Sequence, residues 1–227
     1  VGFDQDFPPM GFVDDNGEFT GFDLELAAEV AKRLGMEIKY QPIAWDAKEM
    51  EIESGNIDVI WNGFTTNGRE NDYTWSKPYM ENKQVFVVSK DSGITKVEEL
   101  KGKKVEVQVD SSGEKALAEN KELSDSFAEL ITTADYNTAF QDLEMGATDA
   151  VAMDIIVAGY QLKKRGDGKY IILEDEPIAT EEYGIGFKKG NTALRDAVDW
   201  TLVEMAADGT LKSVSEKWFD TDVTTIK

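Results

Sequence analysis

Ile52-Glu53-Ser54-Gly55-Asn56-Ile57-Asp58-Val59-Ile60 returns later in the chain as Leu143-Glu144-Met145-Gly146-Ala147-Thr148-Asp149-Ala150-Val151. Both stretches run from an apolar residue and a glutamate through a glycine to an aspartate and a second apolar residue, in one register. Each reads as a helix stopped by glycine and followed by a buried strand. An aromatic precedes each glycine by the same interval, Trp45 before Gly55 and Tyr136 before Gly146. Short matches of this kind also arise wherever a helix turns into a strand; the alternative is a pair of like-folded lobes.

Working outward from the first stretch, Leu24, Leu26, Ala27, Val30, Ala31 and Leu34 fall at helical spacing, with Asp23 placed as N-cap and Gly35 as the stop. Strands are predicted over 37–43 and 57–61, with a helix over 47–54 between them. Around the second stretch the same βαβαβ order is predicted, with strands at 104–108, 128–132 and 150–153 and helices at 112–119 and 138–145. Two such series predict an α/β protein of two lobes, each built on a parallel sheet. A helix over 191–208 and a short one ending near Trp218 and Phe219 form a tail, preceded by a strand over 183–187. If the tail packs on the first lobe, that lobe comprises 1–86 and 184–227, and the second 87–183. The chain then crosses near 84–88 and 180–184, and two crossing strands make a hinge.

Composition removes several function classes. The 227 residues hold 24 Lys and Arg against 45 Asp and Glu, a formal charge of −21 that repels phosphate backbones and anionic lipid. The absence of cysteine and histidine excludes disulfides, thiol nucleophiles and Ser-His-Asp machinery, and takes from zinc its commonest nitrogen ligand. No metal or cofactor is expected. No apolar run is long enough to span a bilayer. The opening Val1-Gly2-Phe3 reads as the middle of a strand, with a segment removed upstream.

Polar groups at strand ends supply the candidates, because ligands of open parallel sheets bind beyond the carboxyl ends of the strands. Asn62-Gly63-Phe64-Thr65 and Asp154 would be corresponding corners facing one cleft. Arg69 either grips a carboxylate with two parallel hydrogen bonds or is a surface arginine in a loop. Ser111-Ser112-Gly113-Glu114 opens a helix, where Ser111 and Glu114 are spaced as a capping box and the free N–H groups can cradle an anion. Asp154 either receives an ammonium or caps the following helix. Phe7 and Trp45 are walls or core. Asp4 and Asp6 flank the first turn and read as ligand contact and surface, respectively. The acidic run Asp14-Asp15-Asn16-Gly17-Glu18 lacks calcium-loop spacing and reads as a hairpin turn.

Phe7-Pro8-Pro9-Met10-Gly11-Phe12, Gly21-Phe22-Asp23-Leu24, Arg69 with Trp75-Ser76-Lys77-Pro78-Tyr79, Leu100-Lys101-Gly102-Lys103-Lys104-Val105, Tyr183-Gly184-Ile185-Gly186-Phe187 and Lys217-Trp218-Phe219 stand in an order that spans essentially the whole chain. Together they resemble the polar amino-acid-binding proteins of ABC importers, bacterial extracellular solute-binding family 3. The resemblance implies a type II periplasmic-binding fold with two hinge strands. It implies a non-enzymatic, monomeric protein outside the cytoplasm, in the periplasm or lipid-anchored, that closes on a free polar amino acid and delivers it to a permease. It places Arg69 and Ser112 on the ligand carboxylate, and Asp154, the Gly63 carbonyl and Thr65 on the ammonium and its neighbours. Phe7 and Trp45 then sandwich the side chain, whose tip Asp4 reads with Gln108 and Met153 nearby. The chain departs from the family pattern in the shortened Thr65-Thr66-Asn67-Gly68-Arg69, in Asp110 where glycine is usual, and at Gln5 and Asp6. Related readings are a cyclohexadienyl dehydratase, which needs a carboxylic acid in the cleft for which Asp4 is the candidate, and a receptor's sensor domain.

Overall fold

The computed structural model describes residues 1–166 and 168–227. The chain divides into two compact units, Val1–Glu81 with Glu181–Lys227, and Asn82–Thr180. Both divisions fall inside long strands, so the polypeptide passes from one unit to the other in extended conformation.

The first unit starts with β1 (Gly2–Phe3), then a small antiparallel sheet of β2 (Asp6–Phe7), β3 (Gly11–Val13) and β4 (Phe19–Thr20). Helix α1 (Phe22–Arg33) follows. Asp23 does not cap it: Gly21 is the N-cap, and the Phe22 and Asp23 N–H groups donate to the Pro9 and Met10 carbonyls at 2.8 and 2.9 Å. With those donors satisfied by backbone, the Asp23 side chain is released for another use. The helix ends at Gly35 as expected, with φ +67°.

The predicted strand at 37–43 is reduced to β5 (Gln41–Pro42), the part that lies opposite Gly2 and Phe3. Helix α2 (Lys48–Ser54), entered through a 3₁₀ turn at Trp45–Ala47, leads to β6 (Val59–Thr65). This strand starts two residues later than predicted because the Asn56 and Ile57 N–H groups are still closing the helix end on the Glu51 carbonyl. β7 (Thr74–Trp75) completes the segment before the crossing strand β8 (Met80–Ser89).

In the second unit β9 (Lys104–Gln108) is followed by α3 (Ser112–Glu119), the short α4 (Lys121–Ser124), β10 (Glu129–Thr133), α5 (Tyr136–Met145), β11 (Ala150–Asp154), α6 (Ile155–Arg165) and β12 (Tyr170–Leu173). Helix α5 begins two residues earlier than predicted because Asp135 supplies its cap, accepting the Thr138 N–H at 2.9 Å. The return strand β13 (Ala179–Phe187) leads to α7 (Thr192–Ala207) and α8 (Thr210–Phe219) in the first unit.

The two units share one topology. In the first, β1 lies between β5 and β6, all parallel, with β13 antiparallel beyond β6. In the second, β9 lies between β10 and β11, all parallel, with β8 antiparallel beyond β11. The repeated stretch is the same corner in each: Gly55 ends α2 at φ +79° and Gly146 ends α5 at φ +72°, and β6 and β11 follow.

Alternating residues build the cores. Val105 and Val107 of β9, Ala150 and Ala152 of β11 and Phe86 and Val88 of β8 pack with Leu117 in the second unit. In the first, Phe22 of α1 packs edge-on against Phe219 of α8 at 5.0 Å. Glu25 accepts from both Lys217 and the Trp218 indole, which fixes the tail on α1.

Candidate functional site

Apart from Phe7, which lies in the small antiparallel sheet, the candidate residues sit at the carboxyl end of a parallel strand of their own unit or in the segment beyond it, where strand ends leave backbone groups and side chains unpaired by the ladder. In the first unit Asp4 follows β1. Its N–H donates to Asn62 Oδ1 at 3.0 Å and its Oδ1 accepts the Asp6 N–H at 2.9 Å, so the turn after β1 is locked to the end of β6. Phe7 lies in β2, and its ring covers Gly63, where an added Cβ would stand 2.9 Å from Phe7 Cε1. Gly63 has φ +55°, a conformation that with this close ring leaves room only for glycine.

Arg69 returns to β6 despite the short loop. A turn closes on its N–H, which donates to the Thr66 carbonyl at 3.0 Å, and its Nη1 reaches the Thr65 carbonyl at 3.4 Å. The guanidinium lies over the Phe64 ring, 5.3 Å from its centroid. Phe64 itself is a core residue, fully buried with Ile52, Ile57, Ile60 and Tyr73. Its ring carries Arg69 on one side and meets Trp45 edge-on at 5.4 Å. Thr65 is the last residue of β6 and is buried.

In the second unit Gln108 ends β9 and donates to the Ala134 carbonyl at 3.0 Å. Ser111 caps α3, its Oγ accepting the Glu114 N–H at 3.1 Å. The Glu114 carboxylate reaches the Asp110 N–H at 2.6 Å, one residue before the one a capping box would bind. Asp110 occupies the left-handed region at φ +54°, a conformation its short polar side chain tolerates. Ser112 Oγ accepts the Gln84 amide at 3.0 Å. Asp154 stands at the N-cap of α6 and makes no side-chain cap; its Oδ1 instead accepts the Asn82 amide at 2.7 Å. The carboxylate is thus directed by β8, not by the helix it precedes.

Four neighbours of the candidate residues were not among them: sequence reading gave Asp23 only the role of a helix cap and gave the side chains of Asn82, Gln84 and Lys48 none. Asn82 and Gln84 orient Asp154 and Ser112, and their signal was available: two polar residues at i and i+2 entering the apolar run Val85–Val88. Lys48 is 1% exposed, donates to the Trp45 carbonyl at 3.1 Å and lies 4.9 Å over the Trp45 ring, a buried cation beside a candidate wall. Asp23 is wholly buried under Gly63. Neither of the last two can be told from a surface charge on a helix by spacing alone.

What the first unit offers is a stacked guanidinium, a left-handed glycine corner and aromatic rings. The second offers a capped helix start with a hydroxyl and an oriented carboxylate. These are complements of a carboxylate and an ammonium.

Comparison with known proteins places the chain in a family. Residues 1–221 match the family model for bacterial extracellular solute-binding proteins, family 3. The chain is 37% identical over 227 residues to the L-cystine-binding protein of Escherichia coli K12, covering 99% of this chain and 83% of that protein. Among solved structures, an ABC uptake transporter substrate-binding protein from Streptococcus pneumoniae with bound histidine aligns with a TM-score of 0.94 at 36% identity, over 99% of this chain and 93% of that one. An ancestral amino-acid-binding protein, a precursor of cyclohexadienyl dehydratase, aligns with a TM-score of 0.86 at 33% identity, over 96% and 94% of the two chains. The fold is therefore the type II periplasmic-binding fold, and its named relatives are binding proteins. The chain belongs to the bacterial extracellular solute-binding proteins, family 3.

Proposed function

We propose that this protein captures a free polar L-amino acid outside the cytoplasm and delivers it, as a monomer, to the permease of an ABC importer. The observation that carries this is the pairing of charge types at strand ends: Arg69 with its guanidinium over the Phe64 ring, and Asp154 held by Asn82 instead of by its helix. Arg69 and the Ser112 corner take the ligand α-carboxylate. Asp154, the Gly63 carbonyl and Thr65 take the α-ammonium and neighbouring polar atoms, and Phe7 and Trp45 flank the side chain. Asp4 and Gln108 read its tip. Ser111 serves the site by capping α3, and Phe64 by carrying Arg69. Closure follows as selection of the ligand-bound conformation through contacts contributed by both units.

No residue is assigned a catalytic role. Asp4, the one acid a dehydratase would use here, has an oxygen engaged by the Asp6 N–H, which suits a fixed ligand contact better than a proton donor. The test is thermal unfolding of ligand-stripped protein with each of the twenty amino acids, cystine and ornithine. A ligand at about 100 times its Kd adds roughly 2.7 kcal/mol to the stability of the folded state. The midpoint is expected to rise with one or two polar amino acids, cystine being the first to try, and the shift is expected to vanish in Arg69→Ala and Asp154→Ala. Absence of any shift, or turnover of prephenate to an aromatic product, would sink the binding-only reading.

A further inference from the structure

Asp23 is a carboxylate with 0% exposure in the first turn of α1, where a surface acid would ordinarily favour the helix dipole from outside. Its Oδ2 accepts the Gly63 N–H at 2.6 Å and the Tyr79 hydroxyl at 2.8 Å. Its Oδ1 faces the Trp61 indole N–H, which favours the ionised carboxylate without making a hydrogen bond of good geometry. A wholly buried carboxylate is costly even so, and an apolar residue would pack there without that cost. The cost falls where β6 leaves its ladder. Pairing with β13 shifts register between Gly184 and Gly186, so Asn62 and Gly63 lie at the irregularity. The same two residues hold the site: Asn62 receives the Asp4 N–H, and Gly63 lies under the Phe7 ring.

We propose that Asp23 is a positioning residue of the ligand site: its ionised carboxylate clamps the Asn62–Gly63 peptide, and with it Asp4, Phe7 and the Gly63 carbonyl, so that neutralising it weakens ligand binding. This rests on the amino-acid-binding reading given above. Burial raises the Asp23 pKa to about 7, against the opposing donors Gly63, Tyr79 and Trp61, so the clamp titrates near neutrality. Tyr79 remains a neutral donor, since burial and then the Asp23 charge push its own pKa well above the usual value. The other charged groups of α1 and of the helices packed on it are engaged elsewhere: Lys217 with Glu25, Lys32 with Glu29, Arg33 with Glu29 and Asp208, Arg195 with Asp196 and Asp199, Lys212 with Glu216, and Glu204 with the Trp200 indole; Asp4, beyond β1, takes the Asp6 N–H. Acid adds the proton most readily at Oδ1, which receives neither the Gly63 N–H nor the Tyr79 hydroxyl. That turns two charge-assisted bonds at Oδ2 into weaker neutral ones without breaking them.

The experiment is titration calorimetry with L-cystine, and with L-arginine where cystine gives no heat, from pH 5.5 to 8 on wild type, Asp23→Asn and Tyr79→Phe, together with the Gly63 amide resonance in each. Wild-type affinity is expected to fall by about threefold to tenfold on acidification, in step with the Gly63 amide, as one charge-assisted contact is weakened. Asp23→Asn should bind weakly throughout and lose that step, while any titration of the ligand itself would persist in it. Tyr79→Phe removes a donor that favours the ionised form, so the step should move to higher pH; this variant and the amide carry the test if Asp23→Asn does not fold. Wild-type affinity that stays flat while the Gly63 amide titrates overturns the inference and leaves the binding function standing. A purely structural Asp23 would lower the unfolding midpoint of Asp23→Asn and keep the wild-type pH profile. Where neither ligand gives heat, the titration uses whichever of the other amino acids raises the unfolding midpoint, and failure of all twenty, cystine and ornithine to bind wild type would overturn the proposed function and this inference together.

Discussion

Arg69 presents a planar cation whose central carbon lies 5.3 Å from the centroid of the Phe64 ring. A planar fork is what two parallel bonds to one carboxylate require. Arg69→Lys keeps the charge and loses both the fork and the stack, so a roughly tenfold loss of ligand affinity is expected, with a further loss in Arg69→Ala. Calorimetry separates the cases, and a lysine variant that binds like wild type would show that only the charge is used. Gly63→Ala asks a different question. The left-handed backbone alone costs about 1–2 kcal/mol with a Cβ, and Phe7 must also move. Both the urea midpoint and the affinity should fall; an unchanged midpoint would mean the corner relaxes freely. At this scale Arg69, Ser112 and Asp154 were legible because charged and hydroxyl residues just past apolar strands are visible in a sequence. Which oxygen of Asp154 is held, and by what, was not, because Asn82 lies 72 positions away in the chain.

Strand β9 carries a buried charge problem. In β9 Glu106 is 1% exposed among apolar neighbours, and one of its oxygens accepts no hydrogen bond among the described residues. Burial first, and then the Asp142 charge, raise its pKa above the ordinary glutamate value. A raised acid stabilises the fold most below the unfolded pKa, and that contribution is lost as pH rises through the folded value. Glu106→Gln is therefore expected to gain stability relative to wild type as pH rises from about 4.5, the unfolded reference value. Urea unfolding at pH 5 and pH 8 measures this, and a difference that does not change with pH would refute it. The elements themselves were largely readable: the strand 104–108 and the helix 112–119 stand as predicted because a period of two and a capped period of 3.6 were both clear. The strand at 37–43 shrank to two residues, since ladder length depends on what lies opposite and not on the strand's own pattern.

The whole molecule carries a formal charge of −21 on 227 residues. Like charges spread over so small a surface repel one another in the folded state, and salt shortens their reach from about 30 Å at 0.01 M to about 8 Å at 0.15 M. The unfolding midpoint of ligand-free protein should rise by about 2–4 °C over that range, roughly 1 kcal/mol for a chain of this size. A midpoint that falls instead would mean that ion pairs such as Arg33 with Asp208 and Glu29 outweigh the repulsion. Sequence alone determined the α/β class, the two βαβαβ series and the list of charged strand-end residues, because hydrophobic period and glycine stops are local properties of a chain. Tertiary structure alone decided that Asp23 leaves its helix cap for Gly63, that Phe64 carries Arg69, and that Asn82 and Gln84 aim Asp154 and Ser112. Those contacts join residues 5 to 72 positions apart through burial and hydrogen bonding, and no local pattern encodes which buried polar group will find which partner.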